Sequence, residues 1–566
     1  MTVIFLLIDS AKKQIDKLIS DACEKARAAG ALPDGPSLTG GVEATREASH
    51  GDYAATHAMS AAKAMKMAPA KIAEALGGCI DLDGSYFKSF SIAGPGFINF
   101  VLSDKWYGEV LSAVEAMGDD YGFVDVGNGK RVMVEFVSAN PTGPMTIGNA
   151  RGGVLGDTLA SVLQKAGYDV WREFYVNDSG NQVELFGKSL DARYMQLCVG
   201  EENYEFPEDG YHGDDIKELA ASLFEAEGDK FAGMSPEERA EAFTAYALPR
   251  NIALMREHLE RYRIRFDQWF LESSLYEGGY VAKTVELLEA NGLTYEKDGA
   301  LWLKNIDLGA DKDEVLLRAN GFYTYYAVDI AYHINKMERG FDKVVDIWGA
   351  DHHGHAIRME ATFSAPMLGG RDKLDFLVYQ MVRLTRGGET VKVSKRTGKA
   401  LTLNDLLDEI SVDACRFFFN AKPDSHLEFD LDLAVRQDSE NPVYYVQYAH
   451  ARICSLVAML KAEGFDVPEC ARVDAALLCH ETELELMKQV AALPEEIRLA
   501  ARDYDPSRIN KYCVELAARF HRFYGACKIR GEEPGLLLAR LKLADCVRVV
   551  IRNCLAVIGV SAPEKM

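Results

Sequence analysis

Between Arg131 and Val176 the spacing of apolar residues changes twice. Val132, Val134 and Phe136 recur at every second position, which predicts a strand, and residues 138–145 form a polar loop punctuated by Pro141, Gly143 and Pro144. From Gly148 onward Val154, Leu155, Leu159, Val162 and Leu163 take up a helical period until Gly167 stops it, and a second strand is expected over residues 169–176. Strand, loop, helix and strand within about 45 residues make a right-handed βαβ unit, with its loop at the carboxyl edge of a parallel sheet. The first helical turn there offers unpaired N–H groups and a partial positive charge, so a phosphate suits it, and Gly148 lets one approach the backbone. Many such units bind nothing, so the pattern predicts a fold before it predicts a ligand.

The flanking patterns divide the chain. Residues 1–118 read as a small α+β domain, with helices over about 10–30 and 54–76 and a strand-like stretch over 87–102 broken by Gly94-Pro95-Gly96. Residues 119–405 hold the βαβ unit, an acidic helical insertion at about 200–308, and the second half of the sheet. Within the insertion, helices are expected over 214–228 and 236–262 and a hairpin over 293–303 turning at Asp298-Gly299. Beyond it come a helix over 327–337, a strand over 343–348, a strand over 374–384 and a hairpin turn at Arg386-Gly387-Gly388-Glu389. A linking segment, 406–438, leads to residues 439–566. There Leu456, Leu460, Leu477, Leu484, Met487, Leu537, Leu541, Val547, Val550 and Leu555 keep heptad-like spacing and describe an antiparallel helix bundle.

At 566 residues the chain is too long for one core and fits three or four domains of roughly 150 residues. Its 48% hydrophobic and 26% charged residues are an ordinary globular mixture. Eleven scattered cysteines include no C-x-x-C pair, which speaks against zinc knuckles and redox motifs and for reduced core thiols. The apolar start Val3 to Ile8 has no basic flank, is cut off by Asp9, and is too short for a signal or a membrane span. It reads as the buried end of a first helix, in a cytoplasmic protein without a membrane partner. A net charge of −23 excludes a non-specific nucleic-acid coat, but residues 440–566 carry 17 basic against 17 acidic side chains and leave room for a specific RNA contact.

Five clusters could carry chemistry. Tyr325 and Asp329 stand four apart on one helix face, where a carboxylate and a phenol suit a planar guanidinium, although a carboxylate near a helix start also balances the dipole. Gly349-Ala350-Asp351-His352-His353-Gly354-His355 follows a strand; its spacing suits a ribose hydroxyl at Gly349-x-Asp351 better than a metal. Asn177-Asp178-Ser179-Gly180-Asn181-Gln182 ends another strand, where doubly wound sheets keep ligands. Lys392-Val393-Ser394-Lys395 is a basic loop suited to a triphosphate, or else a solvated face. Tyr444, Tyr448 and Arg452 could stack on splayed bases or serve plain helix packing.

Glu135-Phe136-Val137-Ser138-Ala139-Asn140-Pro141-Thr142-Gly143-Pro144, followed by Thr146-x-Gly148-Asn149-Ala150-Arg151-Gly152, resembles the first signature of class I aminoacyl-tRNA synthetases, and in detail that of the arginyl-tRNA synthetase family. That family usually has His-x-Gly-His where this chain has Thr146-Ile147-Gly148-Asn149. Lys392-Val393-Ser394-Lys395 is similar to the second signature. The segments Ser49 to Ala54 and Ala93 to Asn99 resemble the family's amino-terminal domain, which contacts the tRNA corner, and the final bundle resembles its anticodon-binding domain. The resemblance implies a multidomain α/β protein with a doubly wound, Rossmann-like parallel catalytic sheet, an α+β and helical insertion, an N-terminal α+β domain and a C-terminal α-helical bundle. It implies ATP with Mg²⁺ and no zinc, L-arginine, and tRNA(Arg), in a monomer or weak homo-oligomer. By the same resemblance Glu135, Ser138 and Asn140 meet the ammonium and carboxylate of arginine, and Tyr325 and Asp329 its guanidinium. Gly148, Gly349, Asp351 and His352 hold the adenosine; Thr146, Asn149, Lys392, Ser394 and Lys395 serve the transferring phosphate; Tyr444, Tyr448 and Arg452 face tRNA. The missing imidazoles are expected to leave an active, slower enzyme. Two other readings are a class I synthetase for a different amino acid and a non-catalytic tRNA-binding paralogue, the latter opposed by the intact lysine loop.

Overall fold

The computed structural model describes residues 7–35, 38–45, 47–391, 401–421 and 425–566. Lys392, Ser394 and Lys395 therefore lie outside the described residues, as does most of the apolar start.

The chain opens with α1 (Leu7–Ala28), whose Ile15, Ile19 and Ala22 are buried. There follow β1 (Val42–Ala44), β2 (Tyr53–Ala55), α2 (His57–Met65), α3 (Pro69–Gly77), β3 (Phe87–Ala93), β4 (Phe97–Leu102) and α4 (Asp104–Met117). The strands form an antiparallel sheet in the order β1-β2-β4-β3. The single helix expected over 54–76 is thus a strand and two helices. Lys66 ends α2 in the left-handed region at φ 53°, and Pro69 sits at the start of α3, where a missing N–H is harmless.

The central domain contains β5 (Arg131–Glu135), α5 (Ile147–Lys165), β6 (Asp169–Val176), α6 (Asn181–Val199), α7 (Asp214–Glu227), α8 (Pro236–Arg261), β7 (Gln268–Leu271), α9 (Ser273–Glu277), α10 (Tyr280–Ala290), β8 (Thr294–Lys297), β9 (Ala300–Leu303) and β10 (Glu314–Leu317). It continues through α11 (Tyr325–Glu338), β11 (Lys343–Gly349), α12 (His353–Phe363) and β12 (Leu374–Tyr379). The main sheet is parallel throughout, in the order β12-β11-β5-β6-β7. The chain leaves β5 toward β6 on one side and later returns on the other as β11, so the crevice at this reversal is where such a sheet receives a ligand. One strand of that sheet, β7, comes from the stretch 200–308 expected to intervene between its halves; Phe174 of β6 stacks on its Trp269 at 4.1 Å.

Helix α5 lies close on the sheet, its residues from Ala150 to Ala160 all buried. A Cβ on Gly156 would come within 2.2 Å of the Phe136 ring, so only glycine permits this approach.

The stretch expected as one strand over 374–384 divides at Gln380-Met381. Its second part, β13 (Val382–Arg386), pairs with β14 (Glu389–Thr390) and with β15 (Leu427–Asp430) in a separate sheet. Buried Arg151 of α5 causes the break to be stable, since its guanidinium donates to the Gln380 carbonyl at 2.6 Å and to the Met381 carbonyl at 3.2 Å. The turn between β13 and β14 places Gly387 and Gly388 at φ 57° and 81°, the left-handed pair a two-residue hairpin needs. Between these sheet-forming strands run α13 (Leu403–Glu409) and α14 (Val412–Phe419), and α15 (Leu431–Ala434) follows β15.

The last domain is a bundle of α16 (Pro442–Ala462), α17 (Glu481–Asp503), α18 (Ser507–Ala526) and α19 (Pro534–Ile558). Of the residues predicted to fill it, Leu456, Leu460, Met487, Leu537, Leu541, Val547, Val550 and Leu555 are buried, Leu484 is partly so, and Leu477 is exposed in a short turn before α17. One continuous core joins this bundle to α1, α4 and α5. Among the described residues no helix is long and apolar enough to cross a membrane.

Candidate active site

The loops after β5 and β11 flank a cleft of about 1420 Å³. Glu135, Ser138, Asn140, Thr146, Asn149, Tyr325, Asp329, Gly349, Asp351 and His352 all line it, so most residues expected to act together do share one cavity. Gly148 is one residue inside the wall, and a Cβ there would meet only the Thr146 hydroxyl, at 3.6 Å.

The floor is made by a strained turn. Val137 and Ser138 leave β5 at φ 69° and 41°, conformations that cost a β-branched residue energy and persist only when their surroundings fix them. Here the Ser138 hydroxyl donates to Glu135 at 2.7 Å and accepts the Tyr175 N–H at 3.1 Å.

Behind the floor lies a run of buried charges. Lys336 of α11 donates to Glu135 at 2.5 Å and to Asp346 of β11 at 2.8 Å. His333 faces Asp346 through Nε2 at 2.6 Å, and through Nδ1 it meets the Asp329 carbonyl at 2.7 Å and carboxylate at 3.3 Å. The other Asp329 oxygen accepts from His355 Nε2 at 2.5 Å. Burial alone would keep Asp329 neutral, but His333 and His355 hold its carboxyl well below the usual carboxylate range. Burial and Lys336 push His333 down, yet Asp329 and Asp346 overcome both and raise it to about 9. Burial likewise lifts Glu135, with Lys336 opposing it. The site therefore presents an ionised, oriented carboxylate, with the exposed Tyr325 ring one helical turn away. Such a carboxylate is built to meet a cation.

The opposite wall suits an anion. Thr146 caps α5: its hydroxyl accepts the Asn149 N–H at 3.3 Å and donates to the Asn149 side-chain Oδ1 at 2.8 Å, and that oxygen also takes the Thr146 N–H at 2.9 Å. The Asn149 side-chain oxygen is thus committed to the cap, leaving its NH₂ as the donor. Thr402, just past the lysine loop, forms a β-bridge with Thr146, and the Leu403 N–H donates to the Met145 carbonyl at 2.9 Å. The described chain that follows the second signature, at Thr402 and Leu403, accordingly abuts the first signature.

A family model described as tRNA synthetases class I (R), catalytic domain, matches residues 112–437. An arginyl tRNA synthetase N terminal domain model matches 13–102, and a DALR anticodon binding domain model matches 446–566. An arginine–tRNA ligase of Acetivibrio thermocellus is 50% identical over 562 residues, covering 99% of this chain and 100% of that protein. The chain belongs to the arginyl-tRNA synthetase family. Another such ligase, from Ruminiclostridium cellulolyticum, is 50% identical over 98% of this chain and 99% of its own. The crystal structure of a putative arginyl-tRNA synthetase from Campylobacter jejuni superposes with a TM-score of 0.75 at 35% identity, over 82% of this chain and 100% of that one. The Thermus thermophilus arginyl-tRNA synthetase shares the fold, with a TM-score of 0.72 at 20% identity over 98% and 100% of the two chains.

One lining residue of this synthetase was not singled out by sequence reasoning. Glu272, at the end of β7, accepts the Tyr175 hydroxyl at 2.7 Å and a close hydrogen bond from Ser179; burial raises its pKa. From the expected polar cluster after β6, Gln182 accepts from Asn140 at 2.5 Å. Only β7 joining the sheet brings Glu272 to the cleft, and no motif announced that. Tyr444, Tyr448 and Arg452 lie on α16, away from the cleft. There the two tyrosine rings stack at 6.1 Å and Arg452 sits over Tyr448 at 5.9 Å and Tyr524 at 4.3 Å. Among the described residues no three His, Cys, Asp or Glu side chains are grouped to hold a metal.

Proposed function

We propose that the cleft joins arginine to ATP and then to tRNA(Arg), with the residue roles below. Adenosine lies at the β5–β11 reversal, against Gly148, Gly349, Asp351 and His352, and its triphosphate runs over the start of α5. Lys392 and Lys395, with Ser394, supply positive charge and a hydroxyl, and the Asn149 amide donates from the helix start, where the Thr146 cap holds it. Arginine sits opposite. Its guanidinium meets Asp329 and Tyr325, while its ammonium and carboxylate meet Ser138, Asn140 and the part of Glu135 left free by Lys336. The substrate carboxylate attacks the α-phosphate in line; pyrophosphate leaves and arginyl-adenylate remains. The 2′-hydroxyl of the terminal tRNA adenosine then takes the arginyl group and AMP departs. Positioning and charge carry such chemistry more than a general base does. Magnesium fits as a companion of the ATP phosphates, which commonly supply most of its ligands, because the described side chains offer no cage of their own. The bundle residues Tyr444, Tyr448 and Arg452 are assigned to tRNA.

One observation carries the assignment to arginine: Asp329 is half-buried, ionised and open to the cleft, which a neutral or acidic substrate side chain would leave uncompensated. Charging of total tRNA with each amino acid in turn tests it. Arginine alone should be consumed with ATP; charging with another amino acid, or with none, overturns the proposal.

A further inference from the structure

Among the histidines after β11, His355 has no part in the roles assigned above, yet its surroundings are the most specific. It is drawn into the cleft wall by the first turn of α12, with its ring 5.3 Å from Trp348, 5.4 Å edge-on from Tyr326 and 5.6 Å from Tyr325. Nε2 lies 2.5 Å from one Asp329 oxygen, and Nδ1 is buried with no hydrogen-bond partner among the described residues.

These contacts determine which nitrogen carries the proton. Facing an ionised carboxylate, Nε2 must donate. A proton on Nδ1 would be a buried donor without an acceptor among the described residues, whereas one on Nε2 meets the carboxylate, so the geometry selects the Nε2–H tautomer. The two Asp329 oxygens are then held from two directions, by His333 from the core and by His355 from the cleft. His333 is wholly buried and cannot be reached by a ligand, whereas His355 borders the tyrosine that flanks the substrate space. Three aromatic rings keep the imidazole from turning. The plane of the Asp329 carboxylate is thereby set before any cation arrives, and each oxygen keeps a lone pair for a planar fork.

We propose that His355 is a positioning residue for arginine recognition, orienting Asp329 through its Nε2–H so that the carboxylate meets the guanidinium edge-on. The proposal rests on the reading of Asp329 as the guanidinium acceptor. The test is steady-state aminoacylation by the full chain with tRNA(Arg), varying arginine and ATP separately for wild type, His355→Phe, His355→Gln and Asp329→Asn. His355→Phe keeps a flat ring and removes the donor; the arginine KM should rise about tenfold or more, the usual effect of losing a hydrogen bond to a charged group, with the ATP KM within about twofold. His355→Gln restores a donor and should recover most of that loss. An unchanged arginine KM in His355→Phe, or equal rises for arginine and ATP, overturns the positioning role. An unchanged arginine KM in Asp329→Asn instead overturns the underlying reading of the pocket, and the positioning role falls with it. Should the Phe variant fail to fold, nitrogen-15 resonances of the wild-type imidazole decide: a protonated Nε2 with bare Nδ1 supports the proposal, and a bare Nε2 sinks it.

Discussion

The two sides of the cleft are built in opposite ways. On the side assigned to arginine, Glu135, Lys336, Asp346, His333, Asp329 and His355 form an unbroken chain of charged or hydrogen-bonded groups, mostly buried and each held by its neighbours. On the side assigned to ATP, the Asp351 and His352 side chains are more than half exposed and pair with each other at 3.5 Å, while Thr146 and Asn149 cap one another. The difference follows from what each ligand brings. A guanidinium needs a desolvated carboxylate, which is stable only if fixed donors already surround it. A triphosphate carries its own charge, so the N–H groups of a helix start suffice to receive it. Specificity is therefore paid for in the fold on one side and left to the ligand on the other.

That contrast predicts where substitutions hurt. The largest effect is expected from Lys336→Met, which strands Glu135 and Asp346: a loss of about 3–5 kcal/mol of stability, read by chemical unfolding, as for any broken buried pair. A loss under about 1 kcal/mol would show that the arginine side is not braced as described. Asp329→Asn keeps the shape and removes the charge; arginine kcat/KM should fall roughly 10²–10³-fold in tRNA charging while ATP affinity, measured by titration, holds.

Next comes pH. His333 is raised in the folded state from its ordinary 6.5 to about 9, so its stabilising contribution is complete below pH 6.5 and is lost as pH climbs through about 9. Unfolding free energy should therefore drop by about 3 kcal/mol between these limits, and His333→Gln should flatten that slope. Asp329 works in the other direction. Its depressed pKa gives stability present above the ordinary carboxylate pKa and lost only in strong acid.

Smaller effects belong to the ATP side. Thr146→His restores a long donor and should raise the rate of adenylate formation about tenfold, measured by pyrophosphate exchange, at a cost of about 1 kcal/mol for the lost cap. An equal or lower rate would mean that Thr146 serves the cap alone. Asp351→Asn should change the ATP KM by only about threefold, the scale of one exposed hydrogen bond.

The periodicity of the chain was sufficient for much of this architecture. Residues 169–176 form β6 at the expected limits, the hairpin turns at Asp298-Gly299, and Gly387-Gly388 makes its turn, because strand alternation and left-handed glycines are local properties. Local pattern failed where distant residues intervene. Arg151, more than two hundred residues away, takes the carbonyls at which the stretch 374–384 divides, and Lys66 with Pro69 splits one apparent helix into two. In the cleft, Glu135, Ser138, Asn140, Thr146 and Asn149 come together because one signature carries them, and helical spacing put Tyr325 and Asp329 on one face. Sequence alone thus determined the family and which residues could meet in one cleft. Tertiary structure alone decided that Glu272 enters through β7, that Lys336 already occupies Glu135, and that His355 holds Asp329. Burial and hydrogen-bond partnership are pairwise properties of residues far apart in the chain, and no single-residue pattern encodes them.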